Sequence, residues 1–279
     1  MIINILNLFR IKDWLKNLLI FISLIFSNNL FQSQFYYQLI IAFLLFSLSS
    51  SFVYILNDIK DIEEDKAHPL KKNIKPLANG SFDIAFAKKS MILLFFLICF
   101  LLYLDSKIIF FILIYIILNI LYSYYFKKIP IIDILLISTG YLIRVASGSE
   151  VVNVSTSYLT FCSIFFLSIF IISIKRKKEL ENKTNSRKSL INYNIYTLNI
   201  FIYISMLISF SSYLFYTLFI NSILIITLPI VVLVFFRYLY ITNYTTHGEF
   251  PIDVVMHDWK NLLLFIIFIV MVFYSFISY

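Results

Sequence analysis

Charge is scarce in this chain of 279 residues: Asp, Glu, Lys and Arg make up 14%, against 61% hydrophobic and 19% aromatic residues. A soluble domain of this length cannot cover so much apolar surface, so water is not its main solvent. Period-two alternation is also missing from the long Ile, Leu and Phe runs. Helices are therefore the better reading, because the strands of a transmembrane barrel alternate lipid-facing and lumen-facing residues over about 10 positions. Cysteine is limited to Cys99 and Cys162, in separate apolar runs with no His or Cys at ligand spacing, and both read as packing residues. No small-residue cleavage site follows the N-terminal stretch, which Trp14, Lys16 and Asn17 interrupt, so no removable signal segment is expected.

What is present is a succession of apolar stretches. A hydrocarbon core of ~30 Å needs about 20 apolar residues per helical crossing. Charged and turn-forming clusters delimit nine such spans, at residues 14–32, 36–56, 88–105, 107–125, 130–148, 157–174, 195–220, 223–240 and 261–279. The expected fold is all-α, a polytopic membrane bundle of nine transmembrane helices forming one domain over residues 1–279. The connections Asp105-Ser106-Lys107 and Asn221-Ser222 are short enough to predict antiparallel helical hairpins.

Orientation follows from the basic residues. With the N-terminus in the cytoplasm and the C-terminus outside, only Lys107 of the 23 Lys and Arg falls in an outer connection and only Arg144 within a span. All the others gather on the inner side, as the positive-inside rule requires of a plasma-membrane protein. The net charge of +8 therefore points to topology and anionic membrane lipids rather than to nucleic acid.

The acids are more specific. The second span runs into Asn57-Asp58-Ile59-Lys60-Asp61-Ile62-Glu63-Glu64-Asp65. On a continuing helix Asp58, Asp61 and Asp65 stand at i, i+3 and i+7 and stack three carboxylates on one face. Their repulsion calls for a counter-charge, and oxygen ligands without His or Cys favour Mg²⁺, which joins one or two carboxylates to substrate phosphate. Asn57 is a further oxygen donor. The alternative is a solvated loop in which these acids pair with Lys60, Lys66, Lys71 and Lys72. Downstream, Lys72 and its neighbouring lysines can meet phosphate as point charges, and His68 reads either as a proton carrier or as a helix-terminal hydrogen bonder.

Asn57-Asp58-x-x-Asp61-x-x-x-Asp65 resembles the first aspartate-rich motif of the UbiA superfamily of intramembrane prenyltransferases. That resemblance implies nine helices and a magnesium-diphosphate site near the cytoplasmic face. Five further segments resemble the polyprenyl-phosphate phosphoribosyltransferase branch of that superfamily: Arg10-x-x-x-Trp14-x-Lys16-Asn17, Tyr122-Ser123-x-x-x-Lys127-x-x-x-x-x-Asp133, Gly140-x-x-x-Arg144, Lys175-Arg176-x-x-Glu179-Leu180 and Arg187-x-x-Leu190-x-x-Tyr193. Between the sixth and seventh spans, where prenyltransferases of the superfamily carry a second aspartate-rich motif, this chain has Lys175-Arg176-Lys177-Lys178-Glu179-Leu180-Glu181. It has no aspartate between Asp133 and Asp253.

Such an inversion replaces a metal-held phosphate by direct cation contacts. The resemblance implies phosphoribosyl diphosphate as donor and a polyprenyl phosphate as acceptor. Asp58, Asp61, Asp65 and Asn57 are then the Mg²⁺ ligands, with Tyr122, Lys127 and Asp133 on the donor side and Lys16 and Lys72 as further substrate-binding candidates. Lys175, Arg176 and Arg187 are candidates for the donor 5-phosphate or the lipid phosphate, and Arg237 is a further one. Tyr122 also suits an interfacial aromatic belt, and Lys127 a snorkelling lysine. Arg144, eleven residues past Asp133, faces either the cavity and the lipid phosphate or the outer headgroups. Two positions depart from the branch: Lys75-Pro76 stands where Arg-Pro is expected, and Ile11 and Asp13 replace Pro and Gln near Trp14. Rival readings are prenyl transfer to an aromatic or other acceptor, which predicts a second acidic motif, and a transporter, which needs a polar path across the membrane.

Overall fold

The computed structural model describes residues 1–26, 32–68, 71–182, 193–244 and 249–277. Helices α1 (Ile2–Leu8), α2 (Ile22–Phe26), α3 (Gln34–Lys60), α4 (Ile62–Ala67), α5 (Lys71–Ile74), α6 (Ile84–Leu104), α7 (Ile109–Tyr124) and α8 (Ile132–Val152) belong to one compact unit, within Met1–Thr156. The second unit begins at Ser157 and holds α9 (Tyr158–Glu181), α10 (Ile195–Phe219), α11 (Leu228–Tyr244), α12 (Pro251–His257) and α13 (Trp259–Ile277).

Seven described helical segments are long and apolar enough to cross a membrane: α3, α6, α8, α9, α10, Ser222–Tyr244 and α13. The fourth expected span is α7, an apolar helix of only 16 residues. The first is not an α-helix along its described length. It forms a 3-10 helix over Ile11–Phe21 followed by the short α2. Among the described residues eight of the nine expected spans thus lie on helices, seven of them long enough to cross a membrane, and the first span is mostly 3-10. The protein is an all-helical integral membrane protein.

Local signals explain several boundaries. Asp83 caps α6 by accepting from the Phe86 amide at 2.8 Å, and Asn194 caps α10 by accepting from Tyr196 at 3.0 Å. Ahead of α13, Oδ2 of Asp258 accepts from the Asn261 amide at 3.0 Å. Side chains on the outer faces match a hydrocarbon solvent: Phe95, Phe96 and Phe100 of α6 and Ile266, Val270 and Tyr274 of α13 are exposed.

The 3-10 segment owes its place to small polar residues. Ser47, Ser50 and Ser51 on α3 are buried, and their short side chains let the segment approach closely. Trp14 Nε1 donates to Ser51 Oγ at 3.0 Å, Ser51 Oγ donates to the Phe9 carbonyl at 2.6 Å, and Asn17 Nδ2 donates to Ser47 Oγ at 3.0 Å. On the opposite side, a Cβ at Gly148 of α8 would fall on the carbonyl oxygen of Ile20. Around this sandwich Ile20, Leu39, Leu45, Phe46, Ile112 and Tyr115 form the main core of the first unit. The expected hairpin of α6 and α7 keeps its short connection, but α6 packs chiefly on α3 and α7 packs against both α3 and α8.

In the second unit α9 and α10 form an antiparallel pair in close contact, and Ser209 Oγ donates across it to the Ser163 carbonyl at 2.9 Å. Phe170, Ile174, Ile202, Phe235 and Tyr238 build its core, with Phe170 edge-on to Phe235 at 5.3 Å between centroids.

Candidate functional site

The last turn of α3 delivers Asn57 and Asp58, and the helix then breaks. Asp61 has φ −99° and ψ 14°, and α4 restarts at Ile62. The uninterrupted helix expected through Asp65 is therefore not formed, and the three carboxylates do not stack on one face. Asp58 and Asp65, both buried, converge on the Lys75 ammonium, which donates to Asp58 Oδ1 at 2.8 Å and also to Asp65 Oδ2. Asp61 turns away to Lys127. Splitting the acids between two cations relieves the repulsion that a continuous helix would impose.

A third cation completes the cluster. Arg10 Nη2 donates to the same Asp58 Oδ1 at 2.5 Å, and its guanidinium lies over the Tyr54 ring at 4.7 Å. Burial opposes its charge, but Asp58 and then Asp13 outweigh that cost and hold it more firmly protonated than usual. Arg10 reaches Asp58 because it occupies the left-handed region, φ 50° and ψ 48°, at the junction of α1 and the 3-10 segment. Lys60 anchors the end of α3 by donating to the Ser123 carbonyl at 2.7 Å and lying over the Tyr124 ring at 3.7 Å.

Lys127 sits on a 3-10 turn, Phe126–Lys128, and is buried rather than snorkelling. Five residues on, a tight turn closes with the Ile132 amide on the Pro130 carbonyl at 2.8 Å, which forces Ile131 to φ 68° and ψ −50°. Positive φ is costly for a β-branched residue. The turn redirects the chain into α8, so Asp133 is fully buried in its first turn, where the helix dipole favours a carboxylate. Tyr122 is half-buried near the end of α7, and Lys72 is exposed on α5. Lys16 is not an uncommitted cation: it is paired with Asp13 one 3-10 turn earlier.

Arg144 does not run to the outer headgroups. It is buried and donates to Asn17 Oδ1 at 2.6 Å through Nε, to the Gly140 carbonyl at 2.6 Å through Nη1 and to Tyr115 Oη at 3.1 Å through Nη2. The Tyr115 ring lies 4.7 Å from the guanidinium carbon. These groups hold the charge by dipoles and ring faces.

In the second unit the expected basic loop starts as helix, since α9 continues to Glu181. Its charges largely neutralise one another. Arg176, fully buried, pairs with buried Glu179 at 2.7 Å; Lys178 pairs with Glu181 at 2.7 Å; Lys177 lies 3.8 Å from Glu181. Lys175 is half-buried on the same helix, and Asn182 donates to Glu249 at 2.8 Å. Arg187 lies outside the described residues. Arg237 makes a two-pronged pair with Asp258 at 2.9 and 2.7 Å, which pulls the Asp258 carboxyl below its ordinary value.

The sequence reading missed Arg10 and Lys75 as members of the acidic cluster. Signals for both were in view: Arg10 opens the first motif segment, and Lys75 precedes Pro76 at the position expected to be arginine.

Among the described residues no three His, Cys, Asp or Glu side chains stand together as a ligand cluster. The donor set nonetheless fits a divalent cation shared with phosphate. Asp58 and Asp65 approach one ammonium, each giving it one carboxylate oxygen, and the Asn57 Oδ1 atom is buried without a hydrogen-bond partner. Mg²⁺ asks for no more than one or two carboxylates when phosphate oxygens complete its shell.

Comparison with known proteins agrees with this architecture. Residues 18–250 match the model of the UbiA prenyltransferase family. Decaprenyl-phosphate phosphoribosyltransferase of Corynebacterium glutamicum is 31% identical over 193 residues, 66% of this chain and 58% of the relative. The protein of the same name from Mycolicibacterium smegmatis is 28% identical over 200 residues, 66% of this chain and 60% of the relative. The match thus spans somewhat under two thirds of these relatives' length. A UbiA homolog from Archaeoglobus fulgidus, solved bound to GPP and Mg²⁺, superposes with a TM-score of 0.72 at 18% identity, covering 97% of this chain and 98% of that one. With the family model matching most of its length and the fold shared from end to end, the chain is a member of the UbiA prenyltransferase family.

Proposed function

We propose that this protein transfers the 5-phosphoribosyl group of phosphoribosyl diphosphate to a polyprenyl phosphate, releasing diphosphate, at the cytoplasmic face of the plasma membrane. In this reading residues 1–279 act as one UbiA-type domain, with the N-terminus inside and the C-terminus outside. The one-sided distribution of Lys and Arg supports that orientation.

The observation that carries the reading is the cluster at the end of α3, where Asp58, Asp61 and Asp65 are faced by Arg10, Lys75 and Lys127. A diphosphate bound with a divalent cation needs both kinds of group, acids for the metal and cations for the phosphate oxygens. The names of the bacterial relatives support the donor and acceptor.

Asp58 and Asp65, with Asn57 and Asp61, are assigned to hold Mg²⁺. When bound, the ion would supply charge neutralisation for the departing diphosphate. Arg10, Lys75 and Lys127 move from carboxylate to phosphate oxygens as the donor enters. Tyr122, Lys127 and Asp133 are assigned to donor binding, and Lys16 and Lys72 to substrate binding. The bond from ribose C1 to the diphosphate oxygen breaks and a bond from C1 to a lipid phosphate oxygen forms. That nucleophile is already anionic at neutral pH, so the side chains need only orient it and exclude water. Lys175, Arg176 and Arg187 are assigned to the donor 5-phosphate or the lipid phosphate. Arg144 serves as a positioning residue that holds Asn17 and Tyr115.

Prenyl transfer is the second reading, favoured by the GPP-bound neighbour. Against it stands the end of α9, where the acids are Glu179 and Glu181 and both are engaged by Arg and Lys. Diphosphate release by the purified protein with Mg²⁺ separates the two. Release from phosphoribosyl diphosphate that depends on added polyprenyl phosphate supports the proposal. Release only from a prenyl diphosphate rejects it.

A further inference from the structure

Lys75 has a place that sequence spacing does not suggest. Its ammonium stands between Asp58 and Asp65, side chains whose exposures are 3% and 6%, and is itself 15% exposed. Asp58 is shared with Arg10, and Asp61 is closed by Lys127. Each of the three carboxylates is therefore already matched by a cation in an ion pair.

This balance bears on how a metal enters. A bare divalent cation gains affinity from net negative charge, and here it would meet three fixed cations at the edge of a low-dielectric membrane. A metal already joined to a diphosphate carries net negative charge and presents oxygens to which Arg10, Lys75 and Lys127 can transfer. We propose that Lys75 is a built-in surrogate cation that keeps the Asp58–Asp65 site closed to free divalent metal and opens it only to the metal–diphosphate unit. Lys75 is then a determinant of binding order, and it acts by exchanging carboxylate partners for phosphate. A lysine suits that exchange better than an arginine would, because a single mobile ammonium leaves a carboxylate pair more readily than a two-pronged fork. The inference rests on the donor reading above.

Binding of Mn²⁺ to the purified full chain, measured as metal retained with the protein in equilibrium dialysis, tests this with and without inorganic diphosphate. The wild type should bind Mn²⁺ weakly alone and at least roughly tenfold more tightly with diphosphate, and Lys75→Met should bind Mn²⁺ alone roughly tenfold more tightly than the wild type. Lys75→Arg, which keeps the charge, should behave like the wild type without diphosphate and so controls for folding. Equal Mn²⁺ affinity of wild type and Lys75→Met in the absence of diphosphate overturns the proposal while leaving the metal reading intact. Failure of every variant to bind Mn²⁺ even with diphosphate overturns both. Tight binding of Mn²⁺ alone to the wild type overturns the surrogate-cation role by itself.

Discussion

Nε of Arg144 donates to Oδ1 of Asn17 at 2.6 Å, and Asn17 passes the connection on to Ser47 Oγ at 3.0 Å. One buried cation thereby ties α8, the 3-10 segment and α3 together. The same 3-10 segment is capped at its start by Arg10, which reaches Asp58, so a charge deep in the first unit helps fix the geometry of the cluster at the end of α3.

Loss of this link should be costly and cooperative. Asn17→Ala leaves the Arg144 Nε–H without its acceptor and should destabilise the detergent-solubilised protein by roughly 1–3 kcal/mol. Arg144→Lys cannot supply three divergent donors and should cost a comparable amount. In a double-mutant cycle read by thermal unfolding, the combined variant should lose clearly less than the sum of the two. Additive losses would show that the residues do not act together.

Gly148 should tolerate no side chain. A Cβ there falls on the Ile20 carbonyl oxygen, and backbone cannot yield as a flexible side chain would. Gly148→Ala should lower stability by roughly 1–3 kcal/mol, and Gly148→Val by more. Unchanged thermal unfolding would mean that the 3-10 segment does not lie against α8.

Much of this arrangement was legible in the sequence, and the illegible parts have a common physical cause. Hydropathy located eight helices because burial in lipid depends on residue type alone. It could not assign the 3-10 conformation of Ile11–Phe21, which is stabilised by partners on α3 and α8. Asp58, Asp61 and Asp65 stood out by spacing, yet which cation each one meets depends on residues 48, 66 and 10 positions away. Arg176 is the instructive case. Its Glu179 partner lies at i+3, the ordinary spacing of a helical ion pair, so the self-neutralised end of α9 was readable once the helix was extended past residue 174.

Removing the carboxylates should separate chemistry from folding. Asp58→Asn and Asp61→Asn should each lower turnover by about 10²–10³-fold, the scale of losing a group that supports charge development. Asp58→Asn should also reduce stability, since it leaves Arg10 and Lys75 facing a neutral amide. Asp61→Asn, which affects Lys127 alone, should perturb stability less. Near-normal turnover in either variant removes that residue from the proposed metal shell.

Acid should weaken the second unit through Asp258. The hydrogen bonds from Arg237 hold the folded carboxyl below its ordinary value of about 3.9. A depressed folded value means that the stabilisation is fully present above the unfolded value and is lost as pH falls through the folded one. The Arg237–Asp258 contribution, about 1 kcal/mol or less for a partly exposed pair, should therefore persist at neutral pH and fade below about pH 4. Asp258→Asn should remove it at neutral pH and flatten that part of the profile. A variant as stable as the wild type at pH 7 would show that the pair contributes nothing measurable.

The most direct test of the proposed reaction follows the two halves of the donor separately. Purified protein in lipid, with Mg²⁺ and polyprenyl phosphate, receives phosphoribosyl diphosphate labelled either in the ribose or in the diphosphate, and the products are partitioned between organic and aqueous phases. The account predicts that ribose label enters the lipid phase while diphosphate label stays aqueous, and that both changes vanish in Asp58→Asn. Ribose label that remains wholly aqueous, under conditions where a prenyl diphosphate is consumed, would contradict it.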